Sequence, residues 1–196
     1  MDLVSRVQGI ILKPKEEWAK IKDEPTTIQQ LFTKYAVILA AIPAVAQFLG
    51  WALIGFRIPY QGGSWMGRAL LYIIFGYVFG LAVIYAFGFI INVLAPNFSS
   101  SQSLINAMKL AVYSMTPLWL AGIFYLIPSL GILAVLGSLY GIYLLYLGFD
   151  GGLMGTPKEK VVGYLVVSVV VIIVLTIVLG IILGAAFAMR GLIAVF

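Results

Sequence analysis

The side chains able to do chemistry in this 196-residue sequence are few, and two types are missing altogether: it has no Cys and no His. Thiolate metal sites, disulfides and imidazole acid/base catalysis are therefore excluded. Acid/base work on carboxylates needs a converging set of groups. Asp150 instead stands alone beside Gly151, Gly152 and Gly155, and could cap a turn, meet Lys158 or Lys160, or line an entrance. No reaction and no cofactor follow from it, so a non-enzymatic role is expected. The run Ser99-Ser100-Ser101-Gln102-Ser103 lacks the Gly-rich backbone and Lys of a phosphate loop. It reads as a helix cap leading through Leu104, Ile105 and Met108 towards Leu110.

Hydroxyl and amide groups offer a second kind of chemistry. Tyr140, Tyr143 and Tyr146 fall at i, i+3 and i+6, with Tyr113, Thr116 and Tyr125 in the preceding apolar run and Asn92 before that. Tyr hydroxyls in lipid seek the interface or a buried partner. Asn92, Tyr113, Thr116, Tyr140 and Tyr143 are thus candidates for lining an intramembrane polar cavity, with Gln47 or Thr176 across from them. The alternative reading is an aromatic belt with helix-to-helix hydrogen bonds.

The elements that must position these groups follow from composition. Apolar and aromatic residues make up 63% of the chain and charged residues 10%, with a mean hydropathy of +1.11. That leaves too little polar surface to cover a water-soluble fold. Five runs reach the roughly 20 apolar residues that span about 30 Å of hydrocarbon. They are Tyr35–Phe56, Ala69–Ala95, Leu110–Ile127, Leu130–Phe149 and Val161–Met189, and none contains Asp, Glu, Lys or Arg. Barrel strands would alternate apolar and polar residues, whereas Leu165–Leu175 is broken only by Ser168. In lipid the backbone must satisfy its own hydrogen bonds, so the Val- and Ile-rich last run is a helix. The expected fold is an all-α, polytopic membrane protein with a five-span domain over residues 35–196.

As one helix, residues 110–149 would measure about 60 Å, twice the hydrocarbon thickness. Ile127-Pro128-Ser129-Leu130-Gly131 supplies the turn that folds them into a hairpin. A fully crossing hairpin is expected, with a re-entrant one as the alternative. Pro43 and Pro117 kink their spans, and Ser114 and Thr116 are placed to satisfy the carbonyl freed by Pro117. Glycines four apart, Gly76/Gly80, Gly137/Gly141 and Gly180/Gly184, allow close helix crossings within or between chains.

Residues 1–34 carry two short amphipathic signals and no pattern of a cleaved signal peptide. Leu3, Val4, Val7, Ile10 and Ile11 repeat at helical spacing with Asp2, Ser5, Arg6 and Gln8 opposite. Pro14 suits the first turn of a second helix bearing Glu16, Glu17, Trp18 and Ile21. Thr26-Thr27-Ile28-Gln29 resembles a capping box. These helices read either as a packing collar or as an interfacial anchor with Lys13, Lys15, Trp18 and Ile21 facing a partner or lipid.

An N-terminus in the cytoplasm puts Arg6, Lys13, Lys15, Lys20, Lys22, Lys34, Lys109, Lys158 and Lys160 inside and only Arg57, Arg68 and Arg190 outside. The basic pI near 9.4 reflects this topology and not a nucleic-acid partner.

Pro14-Lys15-Glu16-Glu17-Trp18 with Ile21, Tyr113-Ser114-Met115-Thr116-Pro117, Pro128-Ser129-Leu130-Gly131 and the stretch from Tyr140 to Gly148 together resemble the Yip domain family, in its prokaryotic branch. The likeness covers nearly the whole chain. It implies a five-span helical domain with a cytoplasmic N-terminus. Eukaryotic relatives act in vesicle traffic and bind prenylated GTPases, but the Asp-Leu-Tyr-Gly-Pro-type motif of those members is not in this sequence. The expected protein is a cytoplasmic-membrane scaffold, homo-oligomeric, with lipid and a cytoplasmic or membrane protein as partners. The competing expectation is a channel or transporter for a small solute.

Overall fold

The computed structural model describes residues 2–55, 65–150 and 152–193, and every regular element among them is helical. Arg57, Gly151 and the side chains of Arg68 and Arg190 lie outside the described residues. Five helical segments are long and apolar enough to cross a membrane: Ile28–Leu53, Ala69–Phe98, Leu104–Leu126, Ser129–Asp150 and Lys158–Ala186. Both arms of the hairpin, at 23 and 22 residues, have the length to cross.

The spans begin earlier than the apolar runs suggest. Thr27, extended at φ −104° and ψ 156°, caps the first span by accepting from the Gln30 amide. Gln30 reaches back to the Thr27 amide, so the capping box lies one residue later than the sequence pattern placed it. The third span starts at Leu104 because the short helix after the serines runs on unbroken to Ser114. As a result Lys34 and Lys109 lie inside spans that the sequence showed as charge-free.

The third span is the axis of the bundle. Its most apolar window is 67% buried, against 6% for the fifth span, which lies at the periphery with one side open to lipid. The first, second and fourth spans pack around it, and the fifth lies against the second and fourth. Lipid tails are as apolar as Leu, so close contact and hydrogen bonds must hold such a bundle together. Small side chains supply the approach: a Cβ on Gly88 would lie 2.6 Å from Met108 Sδ, and one on Gly122 would lie 2.5 Å from Pro43.

Ahead of the spans, α1 (Leu3–Leu12) and α2 (Pro14–Asp23) form a tight hairpin that shares one hydrophobic core with the bundle. Asp2 caps α1 through the Ser5 amide and hydroxyl, which hold its carboxyl below the ordinary value. Pro14 opens α2, with Glu16 and Glu17 in the first turn and Lys20 and Lys22 in the last, as the helix dipole favours.

Candidate functional site

The groups with the strongest polar chemistry converge where α1 and α2 meet the third span. Arg6 is 7% exposed, and its guanidinium donates to Glu17 Oε1 at 2.5 Å and to the Glu24 carboxylate. The same guanidinium lies 5.6 Å from the centroid of the Tyr113 ring, within cation–π range. Lys20 completes the cluster with an ion pair to Glu17 at 3.0 Å. Burying Arg6 and Glu17 is tolerable because each is paired and hydrogen-bonded.

Lys109 enters the cluster from the third span. Its ammonium donates to Ile21 O at 2.7 Å and Glu24 O at 2.8 Å, carbonyls at the C-terminal end of α2. A cation there satisfies unpaired carbonyls and complements the negative end of the helix dipole. Trp18 packs edge-on against Tyr113 and also lies beside the fourth span. A Cβ on Gly148 would collide with Leu110 and approach the Trp18 ring to 3.1 Å. Tyr140 then ties the fourth span to α1 by donating to Ile11 O at 2.9 Å.

Pro117 organises the deeper layer. Lacking an N–H, it leaves Tyr113 O without its helical donor, and Thr116 Oγ1 fills the vacancy at 2.7 Å. Of the two hydroxyls that the sequence placed to do this, Thr116 does it and Ser114 does not. Having spent its proton, Thr116 must accept from the Tyr35 hydroxyl at 2.8 Å. A π-helical turn at Phe32–Ala36 sets the register that buries Tyr35 and Ala36 completely. Thr116→Val should cost about 1–3 kcal/mol, since both Tyr113 O and the Tyr35 hydroxyl lose their partner. Thermal unfolding in detergent, with Thr116→Ser retaining wild-type stability, checks this.

The sequence-derived candidates part company here. Lys13 is 70% exposed and only loosely paired with Glu16 at 3.7 Å, and Lys15 is exposed beside it. Trp18 and Ile21, 4% and 1% exposed, are core residues and not part of that surface. They lie three apart on the inner face of α2, while the lysines lie at the turn and on the outer face. Arg6 likewise leaves the polar face assigned to it. Its spacing from Leu3 and Ile10 puts it on the buried stripe, and Glu17 adjoins Trp18 and Ile21 on the buried face of α2. Those two in-stripe charges were the available signal for the cluster.

Among the described residues, the five proposed cavity residues are not gathered around either cavity the structure shows. Tyr113 and Thr116 belong to the hydrogen-bonded layer, Tyr140 is bonded to α1, and Tyr143 is 42% exposed on the outer surface. Asn92 lies at the far end of the second span, its Oδ1 buried without a partner. Cavities open elsewhere among the described residues. One of about 460 Å³ opens between the first, second, third and fifth spans and includes Gln47, Tyr72, Tyr77 and Tyr125. Another of about 380 Å³ lies between the third, fourth and fifth spans. Met115, Leu118, Ile172 and Thr176 line both.

Of the glycine pairs, Gly137/Gly141 alone makes a close crossing among the described residues. Added Cβ atoms there would lie 2.6 Å from Pro117 O and 2.7 Å from Ser114 O. Among the described residues, an added Cβ would meet nothing within 4 Å at Gly80, Gly180 or Gly184, and at Gly76 only Leu183 Cδ1 at 3.9 Å. The serine run does more than begin a helix: Ser103 makes no side-chain cap, while Ser100 Oγ bonds Thr156 at 2.9 Å and Lys160 donates to Ser99 at 2.7 Å. Asp150 is exposed and forms no ion pair among the described residues. Among those residues, too, no three acidic side chains gather as a metal site would need.

Comparison with known proteins agrees with this architecture. The chain is 32% identical to the inner membrane protein YohC of Escherichia coli K12, with 85% of this chain and 92% of that protein covered. The protein of the same name from Escherichia coli O6:H1 gives the same values. No solved structure matches the chain. The five apolar helices, together with relatives of the inner membrane, mark a multi-pass cell-membrane protein. The Yip1 domain model matches residues 9–192, from the middle of α1 through the fifth span, and the chain belongs to the Yip1 domain family.

Proposed function

We propose that this protein is a non-catalytic membrane scaffold whose α1–α2 face lies in the cytoplasm and binds anionic lipid or a protein partner there, in the service of membrane organisation. The observation that carries the reading is the contrast between the two sides of the hairpin. Its inner side is held together by the Arg6 ion pairs with Glu17 and Glu24 and tied to the third span by Lys109 and Tyr113. Its outer side presents Lys13, Lys15, Lys20 and Lys22 on that rigid frame. Fixed cations beside the headgroups attract anionic surfaces at about 1 kcal/mol per residue. The inside bias of Lys and Arg supports the orientation, and the unpartnered Gly180 and Gly184 on the lipid-facing fifth span support self-association.

A second reading, passage of a small solute, draws on the two cavities that meet at Met115 and Leu118. Two preparations, native extracts and liposomes, test both. Protein extracted from native membranes with its lipids, and crosslinked to its neighbours, is compared with a Lys13→Glu/Lys15→Glu variant. The scaffold reading expects anionic lipid or crosslinked partner to fall about tenfold or more in the variant, and liposomes bearing the protein to leak no more solute than empty ones. Unchanged lipid and partner profiles would overturn it, and saturable flux would favour transport.

A further inference from the structure

The bundle does not present the same height of apolar surface all round. Along the fifth span the large exposed apolar side chains run from Val162 to Ile182, about 30 Å at 1.5 Å per residue. Val162, Val166 and Val170, towards its Lys158 end, are 60%, 55% and 53% exposed and need hydrocarbon beside them.

The α1–α2 hairpin occupies the same height elsewhere on the circumference. The Phe149 and Tyr164 rings lie with centroids 4.3 Å apart, which sets those residues of the fourth and fifth spans level. Farther along these antiparallel helices, Gly141 and Ile142 line one cavity together with Ile172 and Ile173. Tyr140 is about 13 Å from Phe149 along its helix, and so lies near the middle of the fifth span's apolar height. Its hydroxyl holds Ile11 O, which brings the tip of the hairpin to that mid-height. Leu12 and Lys13 are 75% and 70% exposed there, with Lys15 and Glu16 exposed beside them.

The first span repeats the pattern. Tyr35 bonds Thr116, and Gly137 and Gly141 abut Pro117 O and Ser114 O, so Tyr35 also stands near mid-height. The exposed face of this span stays polar through Gln30, Thr33 and Lys34 and turns apolar at Val37 and Ile38. Lys34 has no ion pair among the described residues. A flat membrane surface cannot serve both sides. Set at Val162, it sinks Lys13, Lys15 and Lys34 into hydrocarbon, where unpaired charges are costly. Set at Tyr140, it strips the valines of lipid. A lysine stem is shorter than the step, so snorkelling alone does not bridge it.

We propose that the leaflet on this side slopes across the molecule: anionic phospholipid headgroups fill a notch at Lys13, Lys15 and Lys34, thinning the bilayer beside the hairpin by about 13 Å. Three lysines against one Glu16 select anionic headgroups over zwitterionic ones. The inference rests on the lipid-binding reading of this face and adds its depth.

The chain has no Cys, so single cysteines can report each position in turn. Leu12→Cys and Val166→Cys both replace exposed side chains. In nanodiscs of phosphatidylglycerol and phosphatidylethanolamine, a charged thiol reagent should modify Leu12→Cys about fiftyfold or more faster than Val166→Cys. That order is the reverse of their heights, since Leu12 stands about 10 Å nearer the middle. Phosphatidylglycerol with a nitroxide next to its headgroup should quench a bimane on Leu12→Cys about fivefold more than matching phosphatidylcholine. Adding Lys13→Glu, Lys15→Glu and Lys34→Glu should abolish that preference. Exclusion of the reagent from Leu12→Cys, equally fast modification of Val166→Cys, or quenching without preference for the anionic lipid would each overturn the proposal. The first two results leave lipid binding by the lysines standing, whereas unchanged lipid and partner profiles in Lys13→Glu/Lys15→Glu overturn that reading itself.

Discussion

Arg6→Ala is expected to destabilise the protein by about 3 kcal/mol or more, among the largest effects of any single truncation outside the spans. The loss of a contact is not the main cost. Glu17, buried with Arg6, would keep only the exposed Lys20 as a partner, and Glu24 would lose its ion pair. An uncompensated carboxylate in a low-dielectric pocket is far worse than no charge there at all. The double variant Arg6→Met/Glu17→Gln should therefore recover part of the loss. Hydrogen exchange over residues 3–24 should rise strongly in Arg6→Ala while the fifth span stays unchanged, because the cluster fastens the hairpin and not the outer bundle. Unaltered protection in the hairpin would show that the apolar face of α2 suffices.

The second large effect concerns the crossing of the third and fourth spans. Leu at Gly137 or Gly141 must displace a backbone carbonyl, Pro117 O or Ser114 O, and backbone cannot rotate away as a side chain can. Overpacking of this kind costs about 1–3 kcal/mol or more at each position. Leu at Gly180 or Gly184 meets nothing within 4 Å of the new Cβ and should leave unfolding of the single chain within about 0.5 kcal/mol of wild type. Thermal unfolding in detergent of the four variants separates the pairs. If all four behave alike, the spacing of small residues decides and their neighbours do not.

These pairs also show how far the sequence could be read. Three Gly-x-x-x-Gly patterns are equivalent as strings, and nothing in them tells a helix facing its neighbour from one facing lipid. In water, hydrophobicity would separate those faces, but in a membrane both are apolar. For the same reason the residues thought to share a polar cavity were scattered. Thr116 turned inward to repair the break at Pro117 and Tyr113 to pack on Trp18 and Tyr35, while Tyr143 turned outward. The turn chemistry at Ile127–Gly131, by contrast, was legible, because a chain twice too long for the hydrocarbon had to fold back there.

The sequence by itself determined that this is an all-helical membrane protein of five spans with a helical collar. Length per span, hydropathy and the absence of backbone partners in lipid point to helices, and these are local quantities. The tertiary structure decided which span stands at the centre, which glycines touch anything, and that Arg6, Glu17, Glu24 and Lys109 form one cluster. Arg6 and Lys109 are more than 100 residues apart in the chain. Whether such charges are tolerated in a span or beneath a collar depends on partners supplied by other elements, and that is a property of the packed bundle alone.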